Sequence, residues 1–212
     1  MQELFLIKMN PGKMLFQDLE YHLLNDQMPS KYLNSIRSQR EFRMHPFNML
    51  YELQDTKQSP QYHPEGSVWN HTLMVVDEGA KLKNKNRDVP AFMWAALLHD
   101  IGKAVTTKVR RGKITSYDHD KVGARLSRDF LREFTHNNGF IDKVYYLIRY
   151  HMQILFVVNN LPFADIKGMK EHTDIYEVAL LGLCDRLGRI GHNEIEEKKN
   201  IELFVEKCIK SQ

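Results

Sequence analysis

From Ser67 to about Lys83, apolar and polar residues alternate with the period of an α-helix. Val68, Thr72, Val75 and Gly79 fall on one face, and Ser67 is placed to cap the first turn. Asp88 and Pro90 open a second helix that runs through Asp100. Its stretch Phe92-Met93-Trp94-Ala95-Ala96-Leu97-Leu98 is apolar all round, which predicts a helix in the middle of the protein. Gly102 is expected to stop it. Further helical patterns fall near 120–135, 140–155, 174–189 and 194–210, with weaker ones around 15–25, 29–40 and 46–55. β-Branched residues flank Arg110-Arg111-Gly112-Lys113 between Val105 and Tyr117, which predicts a small β-hairpin. Pro60 and Pro64 bracket a loop, Gln61-Tyr62-His63, that ends at Glu65-Gly66. The segment 156–173, with Pro162 and Gly168, reads as loop with one short helical piece, and Gly139 and Gly191 mark other breaks. Helices dominate, so the expected fold class is all-α.

Composition narrows the functional classes only a little. The 212 residues, 42% hydrophobic and 27% charged, suit one globular domain with or without a short appendage. Residues 1–44 are expected to form a helical extension and residues 45–212 the main domain. A net charge of +3 would not repel a phosphate-bearing substrate, yet it falls short of a nucleic-acid-binding signature. Two cysteines, Cys184 and Cys208, cannot make a disulfide framework, and Cys184 lies in an apolar run that suits a buried thiol. Met1 to Lys13 lack the apolar stretch and cleavage site of a signal peptide. The run Ala91 to Leu98 is too short to cross a bilayer. A cytoplasmic protein without membrane partners is expected.

A few polar residues interrupt the apolar stripes. His71 shares the face of Val68 and Val75, and His119 that of Val122, Leu126 and Phe130. His151 continues the series Val144, Ile148, and Asp185 lies within Ile175, Val178, Leu181 and Cys184. His99 and Asp100 end the most apolar helix of all. Five segments thus aim a His or an Asp inward. A buried carboxylate without a partner costs several kcal/mol, in the range of about 3–5. Two Asp and four His together are most simply satisfied by one or two divalent cations. Mixed imidazole and carboxylate donors suit Fe, Mn, Zn, Co or Ni.

At these residues the chain resembles the HD superfamily, whose pattern is a His, a His-Asp pair ending a buried helix, and a later Asp. Here these are His71, His99-Asp100 and Asp185, and the frequent extension His-Asp-Ile-Gly-Lys stands intact at 99–103. The stretch His63-Pro64-Glu65-Gly66-Ser67-Val68-Trp69-Asn70-His71-Thr72 is similar to the start of the HD domain attached to bacterial tRNA nucleotidyltransferases. Asp185-Arg186-Leu187-Gly188-Arg189 echoes the closing motif of that branch. The resemblance covers about residues 45–210. It implies an HD-domain helical bundle with one small β-hairpin after the His-Asp helix. The chain is short and lacks the Gly-Ser and paired-Asp signature of the polymerase fold, so CCA addition is not expected.

The resemblance implies a first metal site at His71, His99, Asp100 and Asp185. It also implies a second at His119 and His151, with Asp100 as the bridge. The implied activity is that of a metal-dependent phosphohydrolase acting through metal-activated water on a small phosphorylated substrate such as a nucleotide or phosphodiester. Asp100, Lys103 and Arg189 are the expected catalytic residues, with Lys103 and Arg189 also on the phosphate. His63 and Glu65 either line the substrate mouth or shape its loop. Arg186 suits a surface ion pair, and His22, His45, His136, His172 and His192 suit the surface or helix ends. The cluster Arg110, Arg111 and Lys113 suits either a solvated turn or substrate recruitment. Two other classes fit the same ligands: a non-catalytic nucleotide- or RNA-binding module, and a di-iron oxygenase. Substrate identity, metal identity and oligomeric state are not legible.

Overall fold

A computed structural model describes residues 10–211. Most of the segment bearing on a signal peptide, residues 1–9, therefore lies outside the described residues. Among the described residues twelve α-helices follow in order. The first three are α1 (Pro11–Asn25), α2 (Pro29–Ile36) and the short α3 (Asn48–Tyr51). Next come α4 (Val68–Leu82), α5 (Val89–Leu98) and α6 (Lys103–Thr106), before a two-stranded antiparallel hairpin of β1 (Lys108–Arg110) and β2 (Lys113–Thr115). The chain then continues through α7 (His119–Arg132), α8 (Asn138–Tyr150), α9 (Gln153–Val158), α10 (Ile166–His172), α11 (Ile175–Leu187) and α12 (Glu194–Lys210). The described residues are all-α apart from that hairpin, as the polar–apolar pattern predicts. No described helix is long and apolar enough to cross a membrane.

Local chemistry places the helix starts. The Ser67 hydroxyl accepts from the Asn70 amide, and the Asp88 carboxylate accepts from Ala91 just after Pro90. Asn137, Asp174 and Asn193 cap α8, α11 and α12 in the same way. Every residue of α5 from Ala91 to Leu98 is fully buried, with α1, α4, α8 and α11 packed around it. Each such large apolar side chain contributes about 1.5–3 kcal/mol on burial. The N-terminal helices join the same core. Phe16 of α1 stacks on Trp94 at 4.6 Å, and the Trp94 indole donates to Glu20 at 3.2 Å.

Two expectations about breaks are corrected. The pattern at 140–155 reads as one helix, but the chain breaks at His151–Met152 between α8 and α9, and the apolar series runs across the break. Gly102 does not stop the His-Asp helix. That helix ends at Leu98, and Gly102 has ordinary helical backbone angles of φ −67° and ψ −20°. Its importance is proximity: a Cβ there would lie 2.2 Å from the His119 carbonyl and 2.6 Å from the Gly123 amide. Only glycine lets the turn after the His-Asp pair lie against the first turns of α7.

Candidate metal centre

Five chain segments bring four imidazoles and two carboxylates together at helix ends. His71 is on the inward face of α4, while His99 and His151 follow the last residues of α5 and α8. His119 opens α7, and Asp185 lies in the last turn of α11. All six are buried, and Asp100 is at their middle. Its Oδ2 is 3.3 Å from His99 Nε2 and 3.8 Å from His71 Nε2, and its Oδ1 is 3.4 Å from His119 Nε2 and 3.9 Å from His151 Nε2. Each oxygen thus faces its own pair of imidazoles. Asp185 Oδ1 joins the first pair, 2.9 Å from His71 Nε2.

The rings are oriented from behind. His99 Nδ1 donates to the Ala96 carbonyl, His119 Nδ1 to Ser116, His151 Nδ1 to Ile148 and His71 Nδ1 to Gly188, at 2.7–3.1 Å. A carbonyl can only accept, so Nδ1 carries the hydrogen and a neutral ring turns its Nε2 lone pair to the centre. Three features then call for a cation. His119 Nε2 and His151 Nε2 face each other at 3.2 Å. His99 Nε2 is buried without a hydrogen-bond partner. His71 meets acceptors on both sides, Gly188 and Glu65 at Nδ1 and Asp185 at Nε2. Such groups are normally paired when buried, and this donor set fits one or two divalent transition metals.

Protonation follows the same plan. Burial, reinforced by the neighbouring His119 and His99, lowers His151 to about 4, and burial lowers His119. Both rings are therefore neutral at pH 7, the form a metal requires. Burial opposes ionisation of Asp100, but Lys103 and His99 overcome it and hold the carboxyl well below its usual range. Burial likewise opposes ionisation of Asp185, and Arg189 and His71 outweigh it. His71 departs from that plan: burial would depress it, yet its bonds to Asp185 and Glu65 raise it instead.

A cavity of about 460 Å³ opens over this floor. Asp100, His119, His151 and Asp185 line it together with Lys103, Arg189 and His63. Lys103 Nζ sits 2.6 Å from Asp100 Oδ2 and donates to Gln58 at 2.8 Å. Arg189 donates from Nη2 to both Asp185 oxygens at 2.9 Å, and its buried Nε has no partner. His63 is at the wall, lowered to about 4 by burial and the nearby Lys103 charge. Glu65 does not line the cavity. It lies behind His71, with Oε1 2.8 Å from His63 Nδ1 and 3.1 Å from His71 Nδ1. Despite the opposing effect of burial, those bonds lower its carboxyl to about 2. Arg186 turns away to pair with Glu197 of α12 at 2.7 Å. His45, His136, His172 and His192 are exposed, and His22 is half-buried against Tyr32.

Two further groups that the sequence reading missed lie beside the centre. Gln58, which holds Lys103, precedes the proline-bracketed loop and carries no local signal. Asp120 does carry one, because His119-Asp120 repeats the His-Asp dipeptide. Its buried carboxylate accepts from Arg149 at 2.8 Å, tying the start of α7, where His119 sits, to the end of α8 beside His151. Asp120→Asn is expected to weaken the His119–His151 half by about 10- to 100-fold in metal affinity, the range for partners that orient ligands. Metal titration would show one ion retained tightly and the second lost first.

A family model described as HD domain matches residues 68–190, more than half of the chain. Over 184 residues the chain is 28% identical to the multifunctional CCA protein of Methylococcus capsulatus, covering 81% of this chain and 40% of that protein. It is 28% identical over 158 residues to the protein of the same name from Pasteurella multocida, covering 71% and 37%. With the Hahella chejuensis protein of that name it shares 35% identity over 80 residues, or 38% and 18%. The chain thus spans about two fifths of the length of the first two relatives.

Proposed function

The chain belongs to the HD domain family, in general a family of metal-dependent hydrolases, and from that premise we propose that it hydrolyses a phosphoester of a nucleotide or other small phosphodiester. The observation that carries this reading is the Asp100 carboxylate, with one pair of imidazoles on each oxygen, at the floor of a cavity walled by Lys103 and Arg189. His71, His99, Asp100 and Asp185 would hold one divalent ion, and Asp100, His119 and His151 a second. Such ions, when bound, polarise a phosphoryl oxygen and lower the pKa of water from about 15.7 toward 7.

The chain's own residues do the rest. The backbone carbonyls behind the four imidazoles fix their tautomers and aim. Arg189 neutralises Asp185 and keeps donors free beside the cavity, suited to a phosphate oxygen. Lys103 lies three residues after Asp100 in the cavity wall, where its ammonium would meet phosphate charge or the departing oxygen. Glu65 holds His71 from behind, and His63, anchored on Glu65, presents its other edge at the wall.

The test is metal analysis of protein purified without chelators, followed by assays on bis(p-nitrophenyl) phosphate and a nucleotide series with Mn, Fe, Co, Ni and Zn. Turnover with bound metal supports the reading. Tight nucleotide binding without turnover across all five metals would move the chain to the binding-module class. Lys103→Ala is expected to lower kcat by roughly 10²-fold, the usual cost of one donor to developing charge, with metal content unchanged. Loss of metal in that variant would make Lys103 part of what holds the centre.

A further inference from the structure

The hairpin beside the cavity carries charge that the proposed hydrolysis does not use. From Ile101 to Tyr117 the chain has Lys103, Lys108, Arg110, Arg111 and Lys113 and no acidic residue. Lys103 is in the cavity wall. The other four are exposed, and none is ion-paired among the described residues. Several exposed lysines elsewhere sit beside carboxylates, as in Lys121–Asp118, Lys198–Glu194 and Lys210–Glu206. An ordinary solvated face has that mixture of signs; the hairpin does not.

The hairpin is also built against its own local preferences. Arg110 and Lys113 are directly opposed across the ladder, and like charges so placed destabilise a strand pair. Arg111 occupies the first turn position at φ 49°, followed by Gly112 at φ 76°, where Asn, Asp or Gly is usual. Sequences that break local rules in this way do so most often for function. An anion lying on the hairpin would offset the repulsion.

Its placement says which anion. Ile114 and Ser116 line the cavity, so one face of the hairpin is the cavity's own wall. Ile114 shares that face with its cross-strand partner Val109, while Lys108, Arg110 and Lys113 project from the other face and Arg111 from the tip. Lys113 adjoins Ile114, and Arg111 is three residues from it, at most about 11 Å along the chain. A strand whose terminal phosphate entered the cavity would bring its next phosphates over this edge. Exposed aromatics suited to stacking flank the path, Tyr62 at the cavity wall and Tyr117 beneath the Arg110 guanidinium at 5.4 Å.

We propose that the segment Lys108–Thr115 is an arm that binds the backbone of a single-stranded nucleic acid and delivers its terminal phosphoester to the cavity. The inference rests on the hydrolase reading of that cavity. The modest net charge of the whole chain conceals the arm, because its cations are confined to six residues.

The test compares wild type with the variant K108Q/R110Q/R111N/K113Q, in which Asn suits the left-handed turn position. Binding of a short fluorescein-labelled oligouridylate with a terminal phosphate is followed by anisotropy against salt. The salt dependence of log K should flatten by about 0.7 for each phosphate that the variant no longer neutralises, and KM for the oligonucleotide should rise at least tenfold. Metal content, kcat and the rate on bis(p-nitrophenyl) phosphate should be unchanged. Equal binding by both proteins overturns the proposal, as does wild type that binds phosphatidylserine vesicles in preference to the oligonucleotide. If wild type hydrolyses nothing yet binds the strand, and the variant does not, the arm stands and the hydrolase reading falls.

Discussion

Asp100→Ala is expected to bind no metal and to lose phosphoester hydrolysis while the chain remains helical. Asp100 is the one carboxylate that faces both imidazole pairs, so its removal takes a donor from each half of the centre at once. The loss in activity should exceed the ~100-fold typical of partners that only orient a ligand. There is a second consequence in the metal-free protein. Lys103 loses its ion-pair partner and keeps only Gln58. Breaking a buried pair costs about 3–5 kcal/mol, and the low end applies here because Lys103 borders the cavity and can turn toward water. Elemental analysis, far-ultraviolet circular dichroism and assay of the same preparation would check all three statements. Full activity in this variant would remove Asp100 from the mechanism.

Gly102→Ala is expected to act by a different route and nearly as severely. The added methyl group would meet backbone, the His119 carbonyl at 2.2 Å and the Gly123 amide at 2.6 Å, and neither can rotate away as a side chain could. The turn after Asp100 and the start of α7 must separate. Overpacking of this kind costs typically ~1–3 kcal/mol and occasionally more. His119 opens the displaced helix, so the His119–His151 half should lose its ion before the His71–His99 half. Thermal unfolding with and without metal, read beside metal stoichiometry, separates strain from the loss of a ligand. Gly182→Ala is the contrast. Its Cβ would run into the Ile154 side chain, which can repack, so the centre should be spared.

Much of this architecture is legible in the amino-acid sequence. The six inward polar residues stand out because each interrupts an apolar stripe, and a stripe is a statement about burial. Ser67 and Asp88 announce their helices through capping chemistry that is local. The hairpin at 108–115 is visible because β-branched residues surround a turn dipeptide. What stays hidden depends on pairs distant in sequence. The role of Gly102 lies in the crossing of two elements, and no local pattern distinguishes a helix-breaking glycine from one that permits close approach. The Asp120–Arg149 pair joins residues 29 positions apart. Gln58 becomes relevant only when the fold sets it beside Lys103. The break at His151 is masked because apolar positions continue on both sides of it. The joining of α1 and α2 to the central core is equally unreadable, since their weak patterns show a buried face but not what it is buried against.

The floor of the cavity and its walls are made of different material. The floor is the ends of helices, held by carbonyls at Ala96, Ile148 and Gly188 and by the packed core beneath them. The walls are mostly connections: Gln58 to His63, the hairpin, and the break at Met152. Connections tolerate insertion and drift where packed helix ends do not. A protein built this way can exchange what it admits by lengthening or recharging three short segments while its reactive centre stays in place. Under the proposed function, substrate range and reaction chemistry could therefore evolve at separate rates on one scaffold.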